Sequence, residues 1–134
     1  MLKTNSLLKL NCPVRNDFQG PDIRALCVCS VGMLRSPTLA NVLLKKGGYN
    51  VRACGSNVSM ALIPISANLV NWADVIFFVN HENFKEAVEV FLGEEEEALV
   101  RKKAIVLNIE DSHDYNSPSL IRALKHELIT HDIN

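Results

Sequence analysis

This 134-residue sequence has little net charge, no long apolar run and no cluster of metal ligands. Its formal net charge of -1 removes the broad attraction to polyphosphate on which non-specific nucleic-acid binding depends. The uncharged stretch 61–73 is interrupted by Pro64 and by polar residues, and it is shorter than the roughly 20 apolar residues of a membrane span. The four histidines do not stand beside cysteines or carboxylates at ligand spacing. We therefore expect no nucleic-acid partner, no membrane partner, no metal and no cofactor.

The first residues of the chain lack a continuous apolar segment and a small-residue cleavage site, so we predict no secretory signal and a cytoplasmic location. The four cysteines, Cys12, Cys27, Cys29 and Cys54, could in principle form two disulfides. A chain in which 48% of the residues are apolar can build a core without such cross-links. We therefore expect free thiols, with Cys27 and Cys54 serving as buried packing residues.

The length of the chain fits one compact domain, since domains usually contain about 100 to 200 residues. Residues 23–134 carry alternating strand and helix patterns and are expected to form one α/β domain. Residues 1–22 fit this alternation poorly, and we interpret them as an N-terminal extension. The extension could add a strand, wrap around the surface or have no fixed structure.

Short apolar runs alternate with helical periodicities along the domain. Four strands are predicted, at 25–29, 49–54, 74–79 and 104–109. Helices are predicted from Ser36 and Pro37 to Lys46, within 83–103 with a break near Gly93, and after Ser117 and Pro118. In the first of these helices, Ser36 suits the N-cap and Pro37 the first helical position. The alternation predicts right-handed crossovers and an open parallel sheet with helices on both faces.

The informative segment is the turn between the first strand and the first helix, where Cys29 is followed six residues later by Arg35. A loop this short turns its backbone N–H groups inward and forms an anion-binding nest with the helix N-terminus. Arg35 can place two hydrogen bonds on the oxygens of a tetrahedral anion. The same positive field should lower the pKa of Cys29 and favour its thiolate. The residues expected to bind the phosphate are Ser30, Val31, Gly32, Met33, Leu34 and Arg35.

A cysteine followed six residues later by an arginine also arises by chance, and the simplest alternatives are a buried structural cysteine and a solvated surface arginine. The context favours a functional site, because an apolar strand precedes Cys29, a glycine lies within the loop, and a capped helix follows Arg35. We therefore predict a thiolate nucleophile beneath a bound phosphate.

Residues 28–38, Val-Cys-Ser-Val-Gly-Met-Leu-Arg-Ser-Pro-Thr, resemble the Cys-x5-Arg-Ser signature of the low-molecular-weight protein tyrosine phosphatases. Residues 53–56, 72–74 and 109–111 resemble, in the same order, later motifs of the short bacterial and phage branch of that family. The likeness spans roughly residues 24–129. It implies an α/β fold with an open four-stranded parallel sheet in the order 2-1-3-4. It also implies hydrolysis of phosphate monoesters, above all protein phosphotyrosine, through a phosphocysteine intermediate.

The resemblance also implies roles for individual residues. Cys29 would be the nucleophile, Arg35 the phosphate clamp, Ser36 the hydroxyl that stabilises the thiolate, and Asp111 the general acid. The chain departs from the family at three places. Gly32 replaces the usual loop asparagine, Leu34 replaces a cysteine found in many members, and Asp111 is followed by serine instead of proline.

Asp111 is also the natural acid on topological grounds, because it follows the fourth predicted strand by two residues. Loops at the carboxyl ends of parallel strands line one crevice, so Asp111 and Cys29 should share an edge of the sheet. Asp114 and His113 are alternative proton donors, and Tyr115 and His81 are candidates for the pocket wall. Asp74 precedes its strand and therefore belongs at the opposite end of the sheet, where we expect a structural role.

Three functions fit these features. The first is a cysteine-dependent phosphatase whose partner is a phosphorylated protein or a small phosphate monoester. The second is a module that binds phosphate or phosphoresidues without turnover, which the glycine at position 32 and the altered acid loop make credible. The third is arsenate reduction, which needs relay cysteines downstream, whereas no cysteine follows Cys54. The sequence leaves the oligomeric state open.

Overall fold

A computed structural model of the chain describes residues 22–32, 34–110 and 116–133. Its elements in chain order are β1 (Ile23–Cys29), α1 (Arg35–Lys46), β2 (Tyr49–Gly55), α2 (Ala67–Trp72), β3 (Val75–Phe78), α3 (His81–Val90), α4 (Glu95–Lys103), β4 (Ala104–Val106) and α5 (Pro118–Thr130). The predicted N-terminal extension, 1–22, lies outside the described residues except for its last position.

The four strands form one sheet in the order β2-β1-β3-β4, and every neighbouring pair is parallel. The α/β fold with an open four-stranded parallel sheet in the order 2-1-3-4 is therefore confirmed. The register places Cys29 of β1 opposite Gly55 of β2. The carboxyl ends of these strands consequently meet at one edge, where the loop after β1 begins.

Helices cover both faces of the sheet. Successive side chains of a strand point to opposite faces, so each strand contributes to two separate cores. One core contains Leu26, Val28, Ile76 and Phe78 of the sheet, packed against residues of α2, α3 and α4. The second core contains Ala25, Cys27, Cys29 and Phe77, packed against residues of α1 and α5. Residues 25–29 of β1 and 76–78 of β3 are thus buried on two sides, which is why these stretches are continuously apolar.

Two predicted boundaries are wrong. The predicted strand 104–109 pairs as a strand only over Ala104–Val106, although the amides of Leu107 and Ile109 continue to donate to carbonyls of Phe78 and Val79. The first helix begins at Arg35 with Leu34 as its N-cap, so Ser36 is not the cap. The hydroxyl of Ser36 instead contacts atoms of β1 and β2.

The remaining helices agree with the sequence patterns, with one omission. The 83–103 region contains α3 and α4, separated at Gly93, whose φ is +81°. Ser117 caps α5, with Pro118 in the first turn. The short helix α2 was not predicted, because polar residues interrupt the apolar spacing of 61–73. Its local signal was Ser66, whose hydroxyl accepts the amide of Leu69. Among the described residues, no helix has the length and apolar character needed to cross a membrane.

Candidate active site

The loop after β1 is shaped by two glycines. Gly32 has a φ of +77°, in the left-handed region that glycine adopts without the steric penalty of a Cβ atom. A Cβ atom on Gly32 would lie 2.9 Å from the carbonyl carbon of Cys54, so a side chain has no room there. A Cβ atom on Gly55 would lie 2.6 Å from the carbonyl oxygen of Ser30. The absence of both side chains therefore allows the loop to pack directly on the end of β2.

Backbone hydrogen bonds fasten the start of this loop to the residues after β2. The amide of Ser56 donates to the carbonyl of Cys29 over 2.8 Å, and the amide of Asn57 donates to the carbonyl of Ser30 over 2.8 Å. Both loop carbonyls consequently face β2. This arrangement leaves the amides of the loop to turn towards its concave side, as an anion-binding nest requires.

The thiol of Cys29 lies inside this loop, and the residue is only 2% exposed. Its Sγ atom is 3.1 Å from the hydroxyl oxygen of Ser36, and the amide of Gly32 donates to it over 3.2 Å. Burial raises the pKa of the Cys29 thiol, but the hydroxyl of Ser36 and three backbone amides outweigh burial and hold the pKa below its ordinary value. The three amides belong to Ser36, Leu34 and Gly32. Amides of the loop and of the N-terminus of α1 thus favour the Cys29 thiolate, as predicted from the sequence.

Arg35, the first residue of α1, is 5% exposed although it carries a permanent charge. One of its terminal nitrogens donates to the carbonyl of Ile109 over 3.2 Å. The guanidinium therefore points into the protein and not into solvent. It connects the loop of Cys29 with the chain segment that follows β4. A guanidinium carries five N–H donors in a planar fork, a geometry suited to the oxygens of a tetrahedral anion.

A polar cluster from α3 supports the outer side of the loop, and the sequence analysis missed it. The carboxylate of Glu86 accepts the hydroxyl of Ser56 over 2.6 Å and that of Ser30 over 3.4 Å. The side-chain amide of Asn83, a fully buried residue, donates to the hydroxyl of Ser30 over 3.0 Å. The hydroxyl oxygen of Ser56 also lies 3.3 Å from the carbonyl oxygen of Cys29. These bonds provide the bracing that Gly32, which has no side chain, does not supply.

The only sequence signal for this cluster was topological. Asn80 caps α3 directly after β3, so the first turns of α3 start at the same edge of the sheet as Cys29. Polar residues facing that edge could have been suspected on this ground, but nothing in their spacing links them to Ser30 or Ser56.

Several predicted site residues lie outside the described part of the chain. They are Met33 of the loop and the candidates Asp111, His113, Asp114 and Tyr115. The structure does describe the residues on either side of 111–115. The carbonyl of Ile109 accepts Arg35, and the amide of Asn116 donates to the hydroxyl of Thr38 over 2.9 Å. Both flanks of the segment with the candidate acids are therefore attached to α1.

The other residues singled out from the sequence are placed as follows. His81 is the exposed first residue of α3, and its ring lies 5.9 Å from that of Phe84. Asp74 pairs with Arg24 at the amino end of the sheet, over 3.0 Å, which confirms its structural position. Among the described residues, no three His, Cys, Asp or Glu side chains are grouped in a way that could hold a metal ion.

Cys27 and Cys54 are fully buried thiols without a disulfide, which confirms their packing role. Burial raises the pKa of both thiols well above the ordinary value, so they remain protonated. Cys54 belongs to the core on the opposite face of the sheet from Cys29. Cys27 lies in the same core as Cys29, but the hydrogen bonds from Gly32 and Ser36 described above reach the Cys29 sulfur.

No protein-family model and no curated protein sequence matches this chain. Solved structures do match its fold. The arginine phosphatase YwlE from Geobacillus stearothermophilus is 20% identical with a TM-score of 0.54, and the alignment covers 81% of this chain and 86% of that protein. A mutant of YwlE from Bacillus subtilis is 18% identical with a TM-score of 0.52, covering 80% of this chain and 91% of that protein. The chain thus has the α/β fold of the low-molecular-weight protein tyrosine phosphatases, as the sequence resemblance implied.

Proposed function

We propose that this protein is a phosphatase that hydrolyses phosphate monoesters through a phosphocysteine intermediate on Cys29. The observation that carries the proposal is the environment of one sulfur atom. The Sγ atom of Cys29 accepts a hydrogen bond from the amide of Gly32 and lies within hydrogen-bond distance of the Ser36 hydroxyl, in a loop that ends at the buried guanidinium of Arg35. A thiolate, inward amides and an arginine are the groups that a nucleophilic attack on a bound phosphoryl group requires.

The reaction would proceed in two steps. In the first, the Cys29 thiolate attacks phosphorus, a sulfur–phosphorus bond forms, and the bond to the leaving oxygen breaks. Asp111 supplies the proton that this oxygen needs. In the second step water attacks the phosphocysteine, Asp111 accepts a proton from that water, and phosphate leaves with the thiolate regenerated. Arg35 and the amides of residues 30–35 would hold the phosphoryl oxygens throughout.

Asp111 is proposed as the acid because its segment is attached to the nucleophile's helix. Ile109, two residues before Asp111, accepts a hydrogen bond from Arg35, which brings this part of the chain to the loop. Asp114 and His113 are the alternatives on the same segment.

The substrate class is proposed to be a phosphorylated protein, with phosphotyrosine as the first candidate from the sequence resemblance. The fold is shared with arginine phosphatases, so phosphoarginine is the second candidate; it is a phosphoramidate, and the atom that leaves phosphorus and takes the proton would be a guanidinium nitrogen instead of an oxygen. The two candidates are separated by measuring turnover of two forms of the same peptide, one with phosphotyrosine and one with phosphoarginine. The preferred substrate should show the higher kcat/KM.

Turnover of para-nitrophenyl phosphate at mildly acidic pH tests the proposed function. Cys29→Ser should abolish turnover, and Asp111→Asn should reduce it by about 10²- to 10⁴-fold, the usual contribution of a positioned acid. Asp74→Asn is the matched control, because it removes a carboxylate at the amino end of the sheet, and it should retain activity. Orthovanadate should inhibit the enzyme, and chelators should not.

A binding module without turnover is the alternative that the same experiment exposes. If the wild-type protein is inert towards every substrate but binds vanadate or phosphate, and Cys29→Ser leaves this binding intact, the phosphatase proposal is wrong.

A further inference from the structure

A groove runs between α1 and α5, on the face of the sheet that is opposite to α3 and α4. Its volume is about 480 Å³, a size typical of binding clefts. Buried or half-buried apolar side chains and exposed lysines line it, namely Val42, Ile121 and Leu128 together with Lys45, Lys46 and Lys125. We call it the lysine groove. It combines an apolar interior with a positively charged rim.

The lysines of the groove carry charge that the described residues do not neutralise. None of the three forms an ion pair with a described residue, and the described lining of the groove contains no carboxylate. The macrodipole of α1 favours Lys45 and Lys46 in its last turn, but Lys125 lies outside the last turn of α5. Ile129, which also lines the groove, is 66% exposed. The groove therefore suits an apolar group that is accompanied by negative charge.

The turn between α3 and α4 carries this combination on the opposite face of the molecule. Leu92 is 68% exposed, and the exposed residues Glu94 and Glu95 follow it closely. We call residues 92–95 the acidic turn. The positive end of the α4 dipole accounts for glutamates at this place. It does not account for a leucine exposed beside them, because an exposed leucine gains stability only when a surface covers it.

We propose that the lysine groove of one molecule binds the acidic turn of a second copy of this chain. Leu92 inserts between α1 and α5 of the second molecule, and Glu94 and Glu95 face the lysines at the rim. The contact covers an exposed leucine and pairs charges that have no partner among the described residues of a single molecule. This association goes beyond the proposed function and does not depend on it.

The other segments of the same chain are less suited to the groove. The first 21 residues contain Lys3, Lys9 and Arg15 but only one acidic residue, Asp17, so the lysines of the groove would repel them. The acidic turn does not reach the groove of its own molecule, because the sheet separates the two. A second molecule is therefore the occupant that these charges favour.

A contact between two different surfaces has a recognisable signature. A molecule that fills the groove of its neighbour still offers its own groove, so assembly continues past the dimer. The contact depends on exposed charges, and salt shortens the range of such charges from about 10 Å at 0.1 M to about 3 Å at 1 M. We therefore expect the average mass to rise with protein concentration at about 0.1 M salt and to fall towards that of the monomer at about 1 M.

Sedimentation velocity of the full chain tests the contact with two double variants. The groove variant is Lys45→Gln/Lys125→Gln, and the turn variant is Leu92→Ser/Glu94→Gln. All four positions are exposed, so both variants should fold, which circular dichroism checks. Each variant alone should stay monomeric, because it retains only one half of the contact. An equimolar mixture should form a dimer and nothing larger, since one intact turn meets one intact groove and the remaining two surfaces are disabled.

The matched control is Lys85→Gln/Lys102→Gln, which changes the net charge as the groove variant does but removes exposed lysines of α3 and α4. This control should assemble like the wild type. Assembly that either test variant retains, a mixture that stays monomeric or grows past the dimer, or a control that fails to assemble would overturn the proposal. A wild-type protein that is monomeric at every concentration would overturn it as well and leave the groove to a partner other than this chain.

Discussion

The Sγ atom of Cys29 lies 3.1 Å from the hydroxyl oxygen of Ser36, in a buried position at the start of α1. Helix N-termini leave their first amides without partners within the helix. In this protein the amides of Leu34, the N-cap of α1, and of Ser36, in its first turn, stabilise the anionic Cys29 sulfur. The same sulfur atom therefore accepts hydrogen bonds from the helix N-terminus and is activated by them. Ser36 adds a side-chain donor to this set.

The first prediction concerns the acidity of Cys29. Removing the hydroxyl in Ser36→Ala takes away a donor that stabilises the thiolate, so the pKa of Cys29 should rise and the thiolate should form only at higher pH. The midpoint of iodoacetamide alkylation against pH, followed on the Cys29 peptide by mass spectrometry, should move to higher pH. Thr130→Ala removes a hydroxyl from the far end of α5 and should leave the midpoint unchanged. A midpoint unaffected by Ser36→Ala would show that the hydroxyl does not stabilise the anion.

The second prediction separates backbone strain from close packing at Gly32. Alanine at a left-handed position costs about 1–2 kcal/mol for the backbone alone. Gly93→Ala should show only this cost, because a Cβ atom there meets nothing within 4 Å. Gly32→Ala adds a contact of 2.9 Å with Cys54, so it should lower the free energy of unfolding by more than Gly93→Ala does and should weaken vanadate binding. Urea denaturation of the two variants checks the order, and equal losses would mean that the loop can shift away from β2.

The third prediction concerns the support of the loop by α3. Glu86→Ala removes the acceptor of the Ser56 hydroxyl, a hydrogen bond of 2.6 Å to a charged group, which contributes about 1.5–3 kcal/mol. We expect a lower free energy of unfolding, a higher KM and a higher inhibition constant for vanadate. Glu89→Ala, an exposed change three residues further along α3, should stay within about 0.5 kcal/mol of the wild type. If the two variants behave alike, the cluster does not support the loop.

The fourth prediction concerns the ion pair at the opposite end of the sheet. Burial raises the pKa of Asp74, but hydrogen bonds from Arg24 outweigh burial and hold the pKa below its ordinary value. A carboxylate with a lowered pKa stabilises the folded state above its pKa in the unfolded chain, and this contribution is lost as the pH falls through its pKa in the folded protein. Asp74→Asn should therefore be less stable than the wild type at neutral pH, and the difference should shrink below about pH 4.

Because the Asp74 side chain is 46% exposed, the loss at neutral pH should stay under about 1 kcal/mol. Turnover should be unchanged, since Asp74 and Cys29 lie at opposite ends of the strands. Chemical denaturation at several pH values, together with the phosphatase assay, measures both. A difference that grows at acidic pH, or a loss of turnover, would contradict this assignment.

The sheet and the nucleophile loop could be predicted from the sequence because their signals are local. Two-sided burial makes residues 25–29 of β1 and all of β3 continuously apolar, and Cys29 and Arg35 are separated by one short loop. The predicted N-cap role of Ser36 is wrong for a physical reason. Serine is a favoured cap, but this hydroxyl contributes more by contacting the sulfur than by capping the helix.

The supporting contacts could not be predicted because they join residues far apart in the chain. Glu86 contacts Ser30 and Ser56 across 56 and 30 residues, and Asn116 contacts Thr38 across 78. Glu86 and Asn116 belong to no motif, and each pairing depends on the crossovers that bring α3 and α5 to the edge of the sheet. The candidate acid Asp111 was inferred from the same topology and stays a prediction.

The most direct test of the central claim is to look for phosphate on the sulfur. The wild-type protein and Cys29→Ser are mixed with para-nitrophenyl phosphate, quenched within milliseconds and digested for peptide mass spectrometry under conditions that preserve thiophosphate. The account predicts a peptide with one phosphoryl group on Cys29 in the wild-type protein, formed as fast as the first equivalent of nitrophenol is released. Nitrophenol release at full rate with an unmodified Cys29, or with the phosphoryl group on another residue, would contradict it.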